Sequence, residues 1–408
     1  MNRFFSPLLT VLAIIIGFCT IQFLNNYFVP VHSSKTNIAT QISFWTIIIT
    51  AVILILTLVF FQRWVYINRK KLLLSLAILF LGIVSIELFL RKIDNRPLRF
   101  APHPYINYIG TPNYRSADGL NMHNSLGMRG PEIKVPKPKD RTRIAILGGS
   151  TVYEDFVKDW KKDFARQLER ELKQVYPNKD IEVVNAGLPG WDSWNDLVNL
   201  EFRLIYLDLD LIIVYEGVND VHARFVRPDA YKPDDTGNIK QWGKDPCVAL
   251  ICFSIVQRMI QYDPPKFDIS AATRPIPHPE STGYNDILGM TRMEALEENP
   301  PIYYEKNLRS IIALAKEFGI DVLLSTWAWS DQLSDYAASP HYQKGFIDLN
   351  NVVKKIGKTK NVEVYDFASE MPKDKKYWTD GPHNNDEGVA MKAKLFTIFI
   401  ARNNILDF

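Results

Sequence analysis

Three apolar runs dominate the first 92 positions, and beyond them short apolar segments alternate with amphipathic ones. Residues 7–29 carry no charged side chain and would span about 34 Å as a helix at ~1.5 Å per residue, enough for a bilayer core. Residues 44–61 and 72–90 follow, the last holding a single acid, Glu87, near its end, where it can reach the headgroups. The pattern predicts three transmembrane helices and a membrane anchor over residues 1–92. The second connecting segment holds Arg63, Arg69, Lys70 and Lys71, whereas the first holds only Lys35. By the positive-inside tendency the second loop is cytoplasmic and the C-terminal part is exported. The basic run Arg91, Lys92, Arg96 and Arg99 pulls the other way.

From residue 93 to about 140 prolines recur, which predicts an extended approach segment and not a helix. The pattern then alternates. Strands are expected at 143–147, 181–185, 211–215, 321–326 and 362–366, and helices at 160–176, 197–207, 303–319, 341–357 and 386–402. Apolar strands alternating with amphipathic helices imply a parallel sheet covered on both faces, with ligands beyond the carboxyl ends of the strands. Residues 223–300 break the rhythm and are too long for an ordinary connection. Their apolar cluster at 248–260 favours a lid or specificity insertion over a plain surface loop. Cys247 and Cys252 lie in it and could bond if that stretch is not helical.

Charge narrows the function classes. The first 92 residues hold eight Lys/Arg and one acid, which leaves the remainder at a net charge of −4. Nucleic-acid partners are thereby disfavoured, because such affinity rests on clustered cations. Three cysteines without a CxxC pair and seven scattered histidines without HExxH imply neither a metal site nor a disulfide scaffold. No cofactor is implied.

Four loops carry candidate chemistry. The first strand runs into Gly148-Gly149-Ser150-Thr151, which sets a hydroxyl at the open end of the sheet; a helix N-cap serine would look the same. The second loop, Asn185 to Trp191, offers Gly187, whose backbone can approach a reacting oxygen or simply turn the chain. In the third, Glu216-Gly217-Val218-Asn219-Asp220, the Asn219 amide can donate to an oxyanion or satisfy its own turn. Asp380-Gly381-Pro382-His383 precedes the last helix, and the carboxylate can orient the imidazole. Together they supply a nucleophile, oxyanion donors and an oriented base for acyl transfer.

In kind, order and spacing the blocks GGS, NAGLPG, GVND and DGPH resemble those of the SGNH (GDSL-type) hydrolases, over roughly residues 141–402. Residues 124–132, NSLGMRGPE, look like the membrane-anchored bacterial envelope branch. The resemblance implies an α/β fold, a three-layer α/β/α flavodoxin-like domain preceded by the three transmembrane helices. It implies Ser150 as nucleophile, His383 as base, Asp380 as its orienter, and an oxyanion hole from the Ser150 and Gly187 N–H groups with Asn219. It departs at Gly149, where the family usually has Asp.

Aromatics crowd the expected rim, and Trp191, Trp327 and Trp378 are candidates for stacking on a sugar ring or lining an acyl slot. His222 is a weaker competitor for the catalytic imidazole, lacking a neighbouring carboxylate in a helix-start loop. The expected function is a membrane-anchored esterase acting on acyl esters of an envelope glycan or lipid, on the periplasmic or cell-surface side. The alternatives are an O-acyltransferase supplied by a membrane acyl-transfer partner, and a catalytically silent scaffold.

Overall fold

The computed structural model describes residues 62–93, 99–103, 105–116, 118–233, 290–333 and 336–406, which fall into two compact units. The first unit contributes helix α1 (Gln62–Ile93), 32 residues long. Its described side chains include the exposed Leu73, Leu74, Ile78, Leu79, Phe80, Leu81 and Leu88. The expected spans 7–29 and 44–61 lie outside the described residues, and the side chains of 72–90 are described only in part. Among the described residues no helix is long and apolar enough to cross a membrane, so the expectation of three spans finds no support there.

The second unit opens with an antiparallel hairpin, β1 (Phe100–His103) and β2 (Asn107–Gly110), in the stretch expected to be extended. Five parallel strands follow: β3 (Arg141–Leu147), β4 (Asp180–Asn185), β5 (Leu211–Val214), β6 (Asp321–Ser325) and β7 (Glu363–Tyr365). Their order, β4-β3-β5-β6-β7, is the flavodoxin-like one, and all five expected strands are present within a residue or two. Ile144, Ile146, Ile212 and Ile213 are fully buried, as β-branched side chains in a sheet covered on both faces should be.

The chain steps one way from β3 to β4 and the other way thereafter. Right-handed crossovers therefore send the first connecting helix to one face and the following ones to the other. On the first face α3 (Phe164–Val175) packs against α10 (Asp386–Arg402). On the second, α7 (Ile302–Glu317) packs against both α4 (Ser193–Asn199) and α8 (Pro340–Lys360). Short helices α2 (Ser150–Tyr153) and α5 (Val218–Arg224) follow β3 and β5, and α9 (Phe367–Glu370) follows β7. Two expected helices are subdivided. At 160–176 a 3-10 turn over Trp160–Lys162 precedes α3, because the Asp163 carboxylate accepts the Arg166 N–H at 2.8 Å and starts the helix afresh. At 197–207, α4 passes into a π turn (Leu200–Leu204) and then a 3-10 turn.

The bulk of the expected insertion lies outside the described residues, Cys247 and Cys252 included. Its two ends are stitched together. Asn299 Nδ2 donates to the carbonyls of Arg224 and Val226 at 2.9 and 2.7 Å, and Arg224 Nε donates to the Asn299 carbonyl at 2.7 Å. Helix α6 (Arg292–Glu298) runs up to this junction at Asn299, and the chain leads on into α7 (Ile302–Glu317).

Candidate active site

The sheet order reverses between β3 and β5, and the crevice beyond the strand ends at such a switch point is where doubly wound sheets bind ligands. Ser150 follows β3 and Asn219 follows β5. Gly148 makes the turn out of β3 with φ +153°, and a Cβ there would stand 2.3 Å from the Tyr215 carbonyl oxygen, so only glycine fits. Ser150 is the first residue of α2, and no side chain caps that helix. The Ser150 N–H belongs to the first turn, whose amides have no partner within the helix.

Ser150 Oγ lies 2.7 Å from His383 Nε2. On the far side of the ring, Nδ1 lies 2.9 Å from both Asp380 carboxylate oxygens, and the His383 backbone N–H donates to Asp380 Oδ1 at 2.7 Å. With the ring proton on Nδ1, held by the carboxylate, the Nε2 lone pair faces the serine hydroxyl. The structure thus brings Ser150, His383 and Asp380 together in a hydrogen-bonded line from hydroxyl to imidazole to carboxylate. His222 is not part of it; its ring packs among Phe225, Tyr336 and Tyr342.

The expected oxyanion donors gather around the same turn with different degrees of freedom. Asn219 Nδ2 donates to the Trp191 carbonyl at 2.6 Å, and a carboxamide nitrogen carries a second hydrogen for a ligand. The Gly187 N–H already donates to Asn185 Oδ1 at 3.2 Å, so it serves an oxyanion only when that bond yields. A Cβ on Gly149 would come within 2.7 Å of Asn219 Nδ2, 2.9 Å of the Trp191 carbonyl oxygen and 3.3 Å of Glu216 Oε2. Glycine is therefore required at position 149, because the second and third loops together fill the space of any larger side chain. Behind that loop the Glu216 and Asp196 carboxyls are fully buried. Burial, then the neighbouring acids Asp220 and Asp192 and each other, push both well above the usual carboxylate range.

Buried charges fix the serine turn from two sides. Arg129, from the approach segment, donates to the carbonyls of Tyr153 (2.5 Å), Glu154 (2.7 Å), Val157 (2.6 Å) and Lys158 (3.2 Å). Lys392, on α10, donates to the Thr151 carbonyl at 2.8 Å and pairs with Glu154, with neither of the pair exposed to solvent. Burial raises the Glu154 pKa to about 7 while Lys392 and His383 pull it down, and burial lowers that of Lys392 while Glu154 opposes this.

The tryptophans correct the sequence reading. Trp191, Trp327 and Trp378 are 2%, 1% and 3% exposed, so none presents an indole face to a substrate. Trp191 packs beneath the β1–β2 hairpin with Phe100, Tyr108 and Tyr153. Trp327 lies against Phe346 and over Gly217, where a Cβ would meet its ring at 2.4 Å. Trp378 donates from Nε1 to the Pro372 carbonyl at 2.9 Å. Among the described residues an aromatic that does stand beside the imidazole is Phe156, 49% exposed, with its ring centroid 4.8 Å from that of His383. It sits in the polar stretch DFVKD, where no periodicity marks it.

No protein-family model and no curated protein matches the sequence. Among solved structures the chain is similar to a lipase/acylhydrolase from Enterococcus faecalis, at 15% identity and TM-score 0.38, over 64% of this chain and 95% of that one. It is also similar to a GDSL-like lipase from Bacteroides thetaiotaomicron, at 14% identity and TM-score 0.37, over 67% and 93% of the two chains. An acetyl xylan esterase from Geobacillus stearothermophilus matches at 17% identity and TM-score 0.38, over 64% and 94%.

Proposed function

We propose that the chain is a serine ester hydrolase of the SGNH type that acts through an acyl-serine intermediate. The observation that carries this reading is the hydrogen-bonded line from Ser150 through His383 to Asp380 at the switch point of the sheet. Ser150 Oγ attacks the ester carbonyl carbon as its proton passes to His383 Nε2. The carbonyl oxygen becomes an oxyanion facing Asn219 Nδ2 and the Ser150 N–H. The intermediate collapses with cleavage of the bond to the alcohol oxygen, which leaves with the proton from Nε2. Water then repeats the cycle on the acyl-serine, giving the acid and the free hydroxyl. Asp380 holds the imidazole in the required tautomer throughout and favours its protonated form in the transition state.

The substrate in this reading is an acyl ester of a glycan or lipid in a cell envelope, met by a domain attached to the membrane on its exported side. Support for the attachment comes from the three apolar runs and from the basic residues at 63–71 against the single Lys35. The large apolar side chains exposed on α1 fit the same reading. The test is covalent labelling of the full chain by a fluorophosphonate. Ser150→Ala should keep its thermal unfolding profile and lose all labelling; undiminished labelling would assign the nucleophile elsewhere.

A further inference from the structure

Phe156 is a large apolar side chain held half in solvent beside the proposed catalytic imidazole. An isolated exposed phenylalanine calls for no explanation, but this one stands on a loop made rigid at both of its ends. The Arg129 guanidinium takes the carbonyls of residues 153 and 154 on one side of it and 157 and 158 on the other. Glu154, two residues before it, has φ +60° and is buried against Lys392. Val157, immediately after it, is fully buried. Ordering a loop so completely costs backbone entropy at every residue, and burying two cations and an acid costs more. The result is one aromatic face fixed next to the group that handles the departing proton.

Its position decides which part of an ester it meets. The general acid must touch the leaving oxygen, so the alcohol portion of the substrate lies on the His383 side of Ser150. The acyl oxygen lies on the Asn219 side. A ring 4.8 Å from the imidazole therefore borders the alcohol portion. We propose that Phe156 is the platform for the alcohol portion of the substrate and that this portion is a pyranose ring, whose C–H face stacks on the phenyl ring. This rests on the ester-hydrolase reading above and names its substrate class as an acylated sugar. Aromatic stacking of this kind supplies about tenfold in recognition.

The test compares leaving groups in the full chain and in Phe156→Ala and Phe156→Trp. For each, kcat/KM is measured for an O-acetylated methyl glucopyranoside and for trifluoroethyl acetate, whose alcohol has no ring. The sugar-to-trifluoroethyl ratio should fall about tenfold in Phe156→Ala and return in Phe156→Trp. An unchanged ratio overturns the proposal. So does an equal loss on both esters, which would mean that Phe156 only orients His383, or a changed preference between acetate and butyrate, which would place it on the acyl side. A wild-type chain inert toward every ester would instead sink the hydrolase reading. Binding of the acetylated glucopyranoside to Ser150→Ala, followed by calorimetry, then decides on its own. Affinity about tenfold weaker when Phe156→Ala is added supports the platform, and equal affinity overturns it.

Discussion

The serine turn and the histidine loop meet where Ser150 Oγ lies 2.7 Å from His383 Nε2 and the Phe156 ring flanks the imidazole, yet the chain fixes them by different means. Residues 148–158 are gripped by partners distant in sequence: Arg129 from the approach segment, Lys392 from the last helix, and the Tyr215 carbonyl that crowds Gly148. Residues 379–385 are held mostly by themselves. Thr379 donates its N–H to the His383 carbonyl at 2.8 Å, Asn385 donates to the Tyr377 carbonyl at 3.2 Å, and the Asp380 carboxylate takes both the ring and the backbone of His383. Ser330 adds a link by donating to the Gly381 carbonyl. The proposed nucleophile is thus set by the tertiary structure as a whole, and the proposed base by the covalent neighbourhood of one loop. Loss of the distant partners that grip the first should register as lost stability, and damage to the second as lost chemistry.

Asp380→Asn offers the sharpest contrast. It should lower kcat by about 10,000-fold, because the amide no longer holds the ring with its proton on Nδ1. Its melting temperature should stay within about 2–3 °C of the parent. A large fall in melting temperature would break the comparison by showing that the loop also supports the fold. Asn219→Ala should lower kcat about 100- to 1,000-fold with KM little changed, the usual loss for one preorganised oxyanion donor. An effect confined to KM would assign the amide to substrate binding.

Arg129→Met tests the other side. It strips four carbonyls of a buried donor and should destabilise the domain by roughly 3 kcal/mol or more, seen as a melting temperature lower by about 6–12 °C. A stable variant would mean that water or a neighbouring side chain replaces the guanidinium. The smallest effect concerns His123, a residue of the approach segment buried against the serine turn, with Nε2 2.8 Å from the Tyr153 hydroxyl. Burial, followed by the charges of Arg99, Arg129 and Arg115, pushes its pKa down to about 3 against the backbone bond at Thr111, which raises it. The unfolded chain then binds a proton near pH 6.5 that the folded chain refuses until about pH 3. Stability should fall with pH across that window, by up to about 1.4 kcal/mol per unit from this group. In His123→Asn the slope of unfolding free energy against pH should be shallower by that amount; an unaltered slope would show that His123 already titrates normally.

The same division explains what the sequence revealed. The five strands were legible because short apolar runs bounded by turn residues have few other fates, and Ser150, Asn219, His383 and Asp380 were legible through the loops that follow or flank them. Trp191, Trp327 and Trp378 misled because an aromatic just past a strand reads as rim unless one knows what covers it. Trp191 lies under a hairpin too short to announce itself, and Trp327 fills a space left open by Gly217. Arg129 was hidden for the opposite reason. A cation in a proline-rich segment reads as solvated, and its four carbonyl partners lie 24 to 29 residues away. Phe156 gave no signal, since its exposure follows from the buried clamp around it.

The separation of 233 residues between hydroxyl and imidazole has a consequence in time. A ribosome adding about 5–20 residues per second takes on the order of ten to fifty seconds to pass from one to the other. During that interval the emerging chain carries a serine with no base, while β4, β5, β6, β7 and their crossings are being made. The hydroxyl acquires its partner only when the last helix can dock against α3. Catalytic competence in this chain is therefore a late event of its biogenesis.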